Sequence, residues 1–198
     1  IVLEKEHFPR HCVGESLLPS MMPILEDFDL LDKVEACGFP KKTGGTFIWG
    51  KNDEPWDVFF SNNPFLPHPY AYHVDRAVFD KLILDHAQSV GVDVRVAADV
   101  KDVLRDNEAE DARVTGVAYE DNDGEKHEIY ARFVVDASGR PSVVGRQVTN
   151  REYDDKMRQV AFYTYYQDVD GPEEIREGHV IIESCRWGWF WYIPLHGT

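Results

Sequence analysis

The sequence predicts an α/β fold that gives way to a strand-rich layer toward its carboxyl end. Three observations lead to this prediction. The chain opens on the apolar run Ile1–Leu3 followed by Glu4, which is the pattern of a buried parallel strand. Apolar residues recur on one helical face from Asp75 to Val90, and the strand pattern Val92–Val96 follows. After about Asn150, aromatic strand patterns follow one another without an intervening helix.

Between the first strand and this helix, the apolar spacing predicts a broken helix. It should run from Ser16 to about Ala36, with Pro23 as the interruption and Gly38 as the stop. Two short strands are expected next, at Thr46–Trp49 and Trp56–Phe60.

The second half of the sequence reads mainly as strands. Val114–Glu120 and His127–Ala131 predict a hairpin closed by a polar Gly-containing turn. Phe133–Asp136 is apolar and then acidic, as in a buried parallel strand. Long aromatic strands are expected at Ala161–Gln167 and Val180–Pro194.

Composition excludes several classes of function. The 198 residues are 43% hydrophobic, which is enough for a globular core, and carry a formal net charge of -15 at pH 7. This charge repels phosphate backbones and acidic bilayers, so no nucleic acid partner is expected. No apolar run approaches the roughly 20 residues that span a bilayer, so we expect no membrane segment. The cysteines Cys12, Cys37 and Cys185 form no CxxC pair, which predicts a reducing, cytoplasmic location.

Two segments near the amino end carry groups suited to a cofactor. Glu4 ends a strand, where a carboxylate can accept two hydrogen bonds from ribose hydroxyls, although such an acid is often only solvated. Gly14-Glu15-Ser16 precedes a predicted helix and offers backbone amides and a hydroxyl to an anion or carbonyl. An ordinary helix cap explains the second segment equally well.

A lysine pair and an aromatic cluster suggest a reactive pocket. Lys41 and Lys42 precede two glycines and an aromatic strand, where burial would disfavour the ammonium form of a lysine. Trp189 and Trp191 alternate along a strand and so share one face, either as core or as a wall that excludes water. The histidines show no HExxH or HxH spacing, and no nucleophile elbow is present, so neither a metal site nor a triad is expected.

Several segments together resemble the flavin-dependent halogenases, a branch of the FAD monooxygenases. Trp189–Pro194 fits the WxWxIP motif of that family. Phe8–Arg10 and Gly14–Pro19 are similar to its FPR and GESLLP segment, and Asp136–Gly139 is similar to its DASG segment. The resemblance implies a FAD/NAD(P)-binding Rossmann-like domain of the flavin monooxygenase type, joined to an antiparallel β-sheet substrate domain.

Both domains should be incomplete. The FAD-binding domain is expected at residues 1–38 and 73–150, without its amino-terminal GxGxxG turn, and the substrate domain at 39–72 and 151–198. The chain is therefore expected to be an internal fragment that is inactive alone.

The resemblance also implies the chemistry and the site. Reduced FAD from a separate flavin reductase, with O2 and chloride or bromide, gives hypohalous acid, which a lysine directs to an electron-rich aromatic carbon. Lys42 matches the position of that lysine, and Lys41 is its register neighbour. The residues implied in cofactor binding are Glu4 at the ribose, Arg76 at the pyrophosphate, Val100 at the adenine and Asp136 with Gly139 near the phosphate side, with Arg10, Gly14, Glu15 and Ser16 between the flavin and substrate pockets. The implied substrate wall is Trp189, Trp191, Ile193 and Pro194.

The substrate is expected to be a phenol, a pyrrole or an acyl group on a carrier protein, in the biosynthesis of a secondary metabolite such as an antibiotic. Two alternatives stay open. One is a FAD-dependent aromatic hydroxylase or geranylgeranyl-reductase-like oxidoreductase, because the strand-end acid, Arg76 and DASG suit those enzymes equally. The other is a non-catalytic fragment.

Overall fold

The computed structural model describes residues 1–51, 54–109, 112–169 and 178–195. In chain order, its strands are β1 (Val2–Glu4), β2 (Lys41–Lys42), β3 (Gly44–Ile48), β4 (Trp56–Phe59), β5 (Ala71–Tyr72), β6 (Val94–Val96), β7 (Asp99–Arg105), β8 (Val114–Glu120), β9 (Lys126–Tyr130), β10 (His179–Cys185) and β11 (Gly188–Tyr192). The α-helices are α1 (Met21–Asp27), α2 (Leu31–Ala36), α3 (Arg76–Ser89) and α4 (Gly145–Val148), and short 3-10 helices lie at Phe60–Asn62 and Asp155–Met157.

The chain divides into two compact units. Unit 1 comprises Ile1–His7 and Val90–Tyr163, and unit 2 comprises Phe8–Ser89 and Thr164–Thr198. The boundaries of these units differ from those expected for the FAD and substrate domains. The helices α1, α2 and α3 belong to the same unit as the sheet that contains β3. The domain bounds taken from the resemblance stay a prediction.

Unit 1 contains two small sheets. The strand β1 pairs in parallel with β6, which confirms the parallel strand predicted from the opening residues. The strand is not buried as predicted, because Ile1 and Val2 are exposed. The strands β7, β8 and β9 form an antiparallel meander, and β8 with β9 is the predicted hairpin. The side chain of Gln147 docks α4 on the free edge of β7, because its amide accepts from Val103 N at 3.2 Å and donates to Lys101 O at 2.9 Å.

Among the described residues, unit 2 has a mixed four-stranded sheet, the two-stranded sheet β2–β5, three α-helices and one 3-10 helix. The strand order is β11-β10-β3-β4, in which β10 runs parallel to β3 and the other two pairs are antiparallel. The helix α3 begins where Asp75 accepts a hydrogen bond from Ala77 N at 2.8 Å, as an N-cap does, and it confirms the predicted helix. The buried core comprises Met22, Leu25, Leu30, Val34, Phe39, Ala71, Tyr72, Val74 and Phe79.

The broken helix is present, but its break lies elsewhere than predicted. Pro23 falls in the first turn of α1, where a missing N–H costs nothing because the backbone donors there have no partner within the helix. The chain instead breaks at Asp29, whose φ of 54° is left-handed, and Leu30 N then donates to Leu25 O at 2.7 Å. The helical pattern from Ser16 to Ser20 does not form a helix, and α1 begins at Met21.

Three strand predictions in the second half are wrong. Phe133–Asp136 is not a strand, and Phe133 and Val135 are each 86% exposed rather than buried. Ala161–Gln167 also lacks strand structure. Val180–Pro194 is a hairpin, β10 and β11, and not one long strand. The first two segments have strand composition, but strand preference is realised only on a partner strand, and neither has one among the described residues.

No helix in the described ranges is long and apolar enough to cross a bilayer.

The sheet of unit 2 generates a stability prediction at Gly44. A Cβ there would overlap Val58 O and press on the His179 ring, so Gly44→Ala should lower the free energy of unfolding by about 1–3 kcal/mol. Gly188→Ala is the matched control, since a Cβ at that strand position meets no atom within 4 Å in the described structure. Equal urea midpoints for the two variants would contradict the close approach of β3 to its neighbours.

Candidate functional site

The centre of the candidate site is a short extended segment, 71–74, that is paired on both sides. On one side, β5 pairs with β2, so that Ala71 lies opposite Lys42, and His73 N donates to Pro40 O at 2.9 Å. On the other side, Ser16 forms an antiparallel bridge with His73. We call the segments 15–17, 71–74 and 40–42 the three-segment ladder.

Pairing fixes which side chains of this ladder share a face. Successive residues of an extended segment point to opposite faces, so Lys42, Ala71, His73 and Ser16 lie on one face. Tyr72 and Lys41 lie on the other face. The contacts agree, because the Tyr72 hydroxyl donates to Glu35 at 2.8 Å and the Lys41 ammonium lies 3.8 Å from the same carboxylate oxygen.

Lys42 is a buried lysine without a counter-ion. It is 5% exposed, its Nζ donates to Leu17 O at 3.1 Å, and it lies 5.4 Å from the ring centroid of Phe60. No carboxylate within the described ranges forms an ion pair with it. Desolvation therefore lowers the pKa of Lys42 to about 8. The burial and the weakened ammonium form were expected from the sequence, whereas Lys41 is exposed, as a surface lysine should be.

The first residue of the ladder, Glu15, carries a buried carboxylate. Glu15 is buried, and its two carboxylate oxygens accept hydrogen bonds from Gly14 N at 3.0 Å and from the Tyr165 hydroxyl at 2.6 Å. Burial acts to raise the pKa of Glu15, but the hydrogen bonds from Tyr165, Gly14 N and its own backbone N–H, together with the charge of His11, hold the pKa below its ordinary value. The ring of His11 meets Tyr165 edge-on at 5.6 Å.

Arg76 holds the same segment from the start of α3. Its guanidinium forms a two-point pair with Asp80, at 2.7 and 2.9 Å, and its third nitrogen donates to the carbonyls of Val13 and Gly14 at 3.2 and 3.3 Å. Arg10 lies 3.6 Å from Asp80. The pairing with Asp80 comes first among the causes that raise the pKa of Arg76. Arg76 therefore binds protein groups here, and its expected contact with a pyrophosphate stays a prediction.

The four expected cofactor residues of unit 1 lie on strand ends, on β7 and in one loop. Glu4 ends β1, where its carboxylate accepts from Glu6 N at 2.8 Å, and Val100 lies in β7 opposite Tyr119. The Asp136 carboxylate accepts from Ser138 Oγ and N, Val144 N and Gly145 N at 2.6–3.0 Å. The Ser138 hydroxyl is the largest contributor to a pKa of Asp136 of about 2. Gly139 has φ 68°, the left-handed conformation that this loop requires.

The aromatic face of β11 is as the alternation predicted. Trp189 and Trp191 share a face, with ring centroids 5.8 Å apart, and they are 45% and 48% exposed. Ile193 and Pro194 follow the strand and are half-buried. Their role as a substrate wall stays a prediction.

Two residues of this site were not found from the sequence. His73 is completely buried beside Lys42, and Tyr165 binds Glu15 from a distant part of the chain. The aromatic run that contains Tyr165 has the residue pattern of a strand. His73 carries no motif spacing, and its only sequence signal is its place just before the start of α3. No group of three or more metal-ligating side chains occurs among the described residues.

The residues present fit a dinucleotide flavin. A carboxylate at the carboxyl end of a parallel strand, as in Glu4 on β1, can accept hydrogen bonds from ribose hydroxyls. Gly14 has a positive φ and no side chain, so other groups can approach the backbone there closely, as the Arg76 guanidinium does. A buried lysine with a lowered pKa adds a nucleophile. Taken unit by unit, the strand-end carboxylate of unit 1 and the glycine and buried lysine of unit 2 are the features expected of one class, the flavoproteins of the monooxygenase type that carry an additional reactive amine.

The chain belongs to the tryptophan halogenase family, because a sequence model of that family matches residues 1–66 and 62–198. It is 34% identical to the tryptophan 2-halogenase of Chondromyces crocatus, over 98% of this chain and 36% of that protein. It is 30% identical to the 1H-pyrrole-2-carbonyl-[peptidyl-carrier protein] chlorinase of Pseudomonas fluorescens, over 100% of this chain and 48% of that protein.

Among solved structures, the chain resembles the myxobacterial chondrochloren halogenase CndH, a FAD-dependent halogenase. The TM-score is 0.89 at 43% identity, covering 99% of this chain and 44% of that one. The chain therefore spans less than half of each of these three relatives.

The lowered pKa of Lys42 predicts a pH dependence of stability. Between pH 8 and 10.5 the unfolded chain binds more protons at this residue than the folded chain does, so the free energy of unfolding should rise as the pH increases through this range. Lys42→Met should show a smaller rise. Urea unfolding of both proteins at the two pH values tests this, and parallel curves would mean that Lys42 is solvated in solution.

Tyr165 generates a second prediction. Tyr165→Phe removes a hydrogen bond to a buried carboxylate and should destabilise the fold by about 1–3 kcal/mol, while raising the pKa of Glu15. The matched control is Tyr166→Phe, which should change little because the Tyr166 hydroxyl forms no hydrogen bond with the described residues. A loss of the same size in both variants would show that the Glu15 contact does not hold this segment.

Proposed function

We propose that this chain is part of a FAD-dependent halogenase in which Lys42 passes the halogen to an electron-rich aromatic substrate. One observation carries the proposal: in a chain of the halogenase family, the lysine to which the resemblance assigns the reaction is buried, and no carboxylate in the described part of the chain pairs with it. A surface lysine stays protonated and inert at neutral pH. Lys42, with a pKa of about 8, supplies a substantial fraction of neutral amine under mildly alkaline conditions.

The cofactor would be held by the residues that fit it. Glu4 would accept hydrogen bonds from the adenosine ribose, the backbone at Val100 would meet the adenine, and the 136–139 loop would lie on the phosphate side. The Gly14–Ser16 segment would separate the flavin pocket from the substrate pocket. When bound in reduced form, FAD supplies hypohalous acid from O2 and chloride or bromide.

Lys42 would transfer the halogen in two steps. The lone pair of the neutral amine attacks the halogen of hypohalous acid, so that an N–X bond forms and the O–X bond breaks. The hydroxide that leaves takes a proton from the nitrogen and departs as water. The haloamine transfers X⁺ to a ring carbon, which loses its proton, and the amine is regenerated. Alternatively, Lys42 donates a hydrogen bond to hypohalous acid and directs it to the same carbon.

Its buried surroundings suit this role. Leu17 O and the Phe60 ring hold the amine, and neither is a carboxylate that would keep it protonated. The pair Trp189 and Trp191 would form the wall that excludes water from the substrate pocket.

The proposed substrate is an electron-rich aromatic group such as a phenol or a pyrrole, free or bound to a carrier protein. The names of the relatives support both forms, since one acts on tryptophan and another on a pyrrole held by a peptidyl carrier protein. The proposed partner is a separate flavin reductase in the cytoplasm. In the family scheme, residues 1–38 and 73–150 form the FAD domain, and residues 39–72 and 151–198 form the substrate domain.

The decisive variant is Lys42→Ala in the complete enzyme. It should lose halogenation while still oxidising reduced FAD, because the lysine acts after hypohalous acid has formed. Lys41→Ala is the matched control, since its exposed ammonium belongs to the opposite face of the ladder. Lys42→Arg should also fail, because a buried guanidinium keeps its charge and is a poor nucleophile.

The measurement is product formation from phenols and pyrroles with chloride, a flavin reductase and O2, with peroxide release followed in parallel. Normal halogenation by Lys42→Ala would overturn the proposal. Hydroxylated products from the parent enzyme would replace it with an aromatic hydroxylase.

A further inference from the structure

Two buried polar atoms beside Lys42 have no hydrogen-bond partner in the part of the chain that the structure describes. They are Ser16 Oγ and His73 Nδ1. An unpaired buried polar group opposes folding, so two of them at one place are unfavourable unless something binds there.

The two atoms belong to residues that lie directly opposite each other. Leu17 N donates to Tyr72 O at 3.0 Å and Val74 N donates to Glu15 O at 2.8 Å, so the hydrogen bonds flank the Ser16–His73 pair and do not join it. Residues in such a pair have their side chains closer together than residues in a hydrogen-bonded pair. The hydroxyl and the imidazole therefore lie side by side on one face of the ladder, and neither bonds to the other across the space between them.

The tautomer of His73 decides what this space can bind. His73 Nε2 lies 3.3 Å from Gly178 O, and only an N–H can satisfy a carbonyl, so Nδ1 carries the lone pair. Burial is the main cause that lowers the pKa of His73 to about 4, and the charge of Lys42 adds to it, so the ring is neutral at neutral pH. The space thus has an acceptor, His73 Nδ1, and a donor, the Ser16 hydroxyl.

The third group at this space is the amine of Lys42. Lys42 shares the ladder face with Ser16 and His73, and the methyl group of Ala71 is the only side chain directly between Lys42 and the 15–17 segment in the ladder pairing. The amine reaches past it to Leu17 O, which adjoins Ser16. An acceptor, a donor and a nucleophile are therefore grouped on one buried face.

We propose that Ser16 and His73 form the binding site for hypohalous acid beside Lys42. The inference rests on the proposed function and adds two residues to it. Hypohalous acid has one O–H donor, one oxygen acceptor and an electrophilic halogen. His73 Nδ1 accepts from the O–H, the Ser16 hydroxyl donates to the oxygen, and the halogen is presented to the Lys42 amine. Once the N–X bond has formed and the O–X bond has broken, the water that is produced keeps both hydrogen bonds.

The test uses the complete enzyme with Lys42 intact and the variants Ser16→Ala, His73→Leu and His73→Asn. Hypohalous acid that escapes is trapped by taurine in the solvent, and halogenated product is measured in the same reaction. Loss of one hydrogen bond should raise the ratio of trapped oxidant to product by about tenfold in Ser16→Ala and His73→Leu. His73→Asn keeps an acceptor and should recover part of the coupling. The control Ser184→Ala, which removes a hydroxyl that donates to Ile48 O, should leave the ratio unchanged.

A second readout needs no flavin. The flavin-free enzyme is mixed with one equivalent of hypochlorite, and the oxidising equivalents that the protein retains are measured with iodide, with Lys42→Ala as the blank. Ser16→Ala and His73→Leu should retain fewer equivalents than the parent enzyme. Thermal unfolding completes the test, because Ser16→Ala removes an unpaired hydroxyl and should not lower the melting temperature.

The outcomes are distinguishable. Unchanged trapping and retention in folded Ser16→Ala and His73→Asn would overturn this inference while Lys42→Ala still lost halogenation. A lower melting temperature for Ser16→Ala with normal trapping would assign the hydroxyl a structural role, which also overturns it. Halogenation by Lys42→Ala would instead remove the proposed function on which the inference rests.

Discussion

The two-sided pairing of residues 71–74 is the constraint on which unit 2 depends. This segment joins two parts of the chain that are far apart in sequence, the Gly14–Leu17 region and the lysine pair, by backbone hydrogen bonds on both edges. Because the pairing is fixed by backbone groups, it determines the face of every side chain in the ladder. A shift of one residue would exchange Lys42 with Lys41, and so place the exposed lysine in the buried environment.

The lowered pKa of Lys42 depends on the absence of a carboxylate beside it among the described residues. The chain carries a large excess of negative charge, yet the described residues place a carbonyl and an aromatic ring beside this ammonium and no carboxylate. A carboxylate at the same distance would raise the pKa, because an opposite charge favours the ionised form. Desolvation of an ammonium group that has no carboxylate beside it lowers the pKa instead. The Glu35 carboxylate lies on the opposite ladder face with Lys41 and Tyr72.

Much of the fold was predictable because its signals are local. The helix α3, the hairpin β8–β9 and the first strand follow from periodicity and turn residues in short windows. The burial of Lys42 was also predictable, since it precedes glycines and an aromatic strand. The segments Phe133–Asp136 and Ala161–Gln167 were not, because strand structure depends on a partner that composition does not reveal. The break in the first helix was misplaced because Pro23 is harmless in a first turn.

The roles of His73 and Tyr165 in the site could not be predicted from the sequence for a similar reason. Each matters through a contact with a residue that is distant in sequence, His73 with Ser16 and Tyr165 with Glu15. Neither partner can be identified from residue spacing. The ladder register identifies the first pair, and the fold of residues 164–169 identifies the second.

The two faces of the ladder differ in how completely their polar groups are paired. The paired face has a structural role, and the face with unpaired groups is the one suited to a reaction. On the face with Tyr72 and Lys41, the polar groups converge on the Glu35 carboxylate, and burial together with the hydrogen bond to Glu35 raises the pKa of Tyr72, so the hydroxyl stays a donor. The Tyr72 hydroxyl and the Lys41 ammonium therefore both have a partner on that face. On the face with Lys42, an amine, an imidazole and a hydroxyl are buried with fewer partners than they can use. Folding alone would favour apolar side chains at these positions, since an unpaired polar group opposes stability. Their presence together is explained by a small polar reactant that supplies the missing partners when it binds.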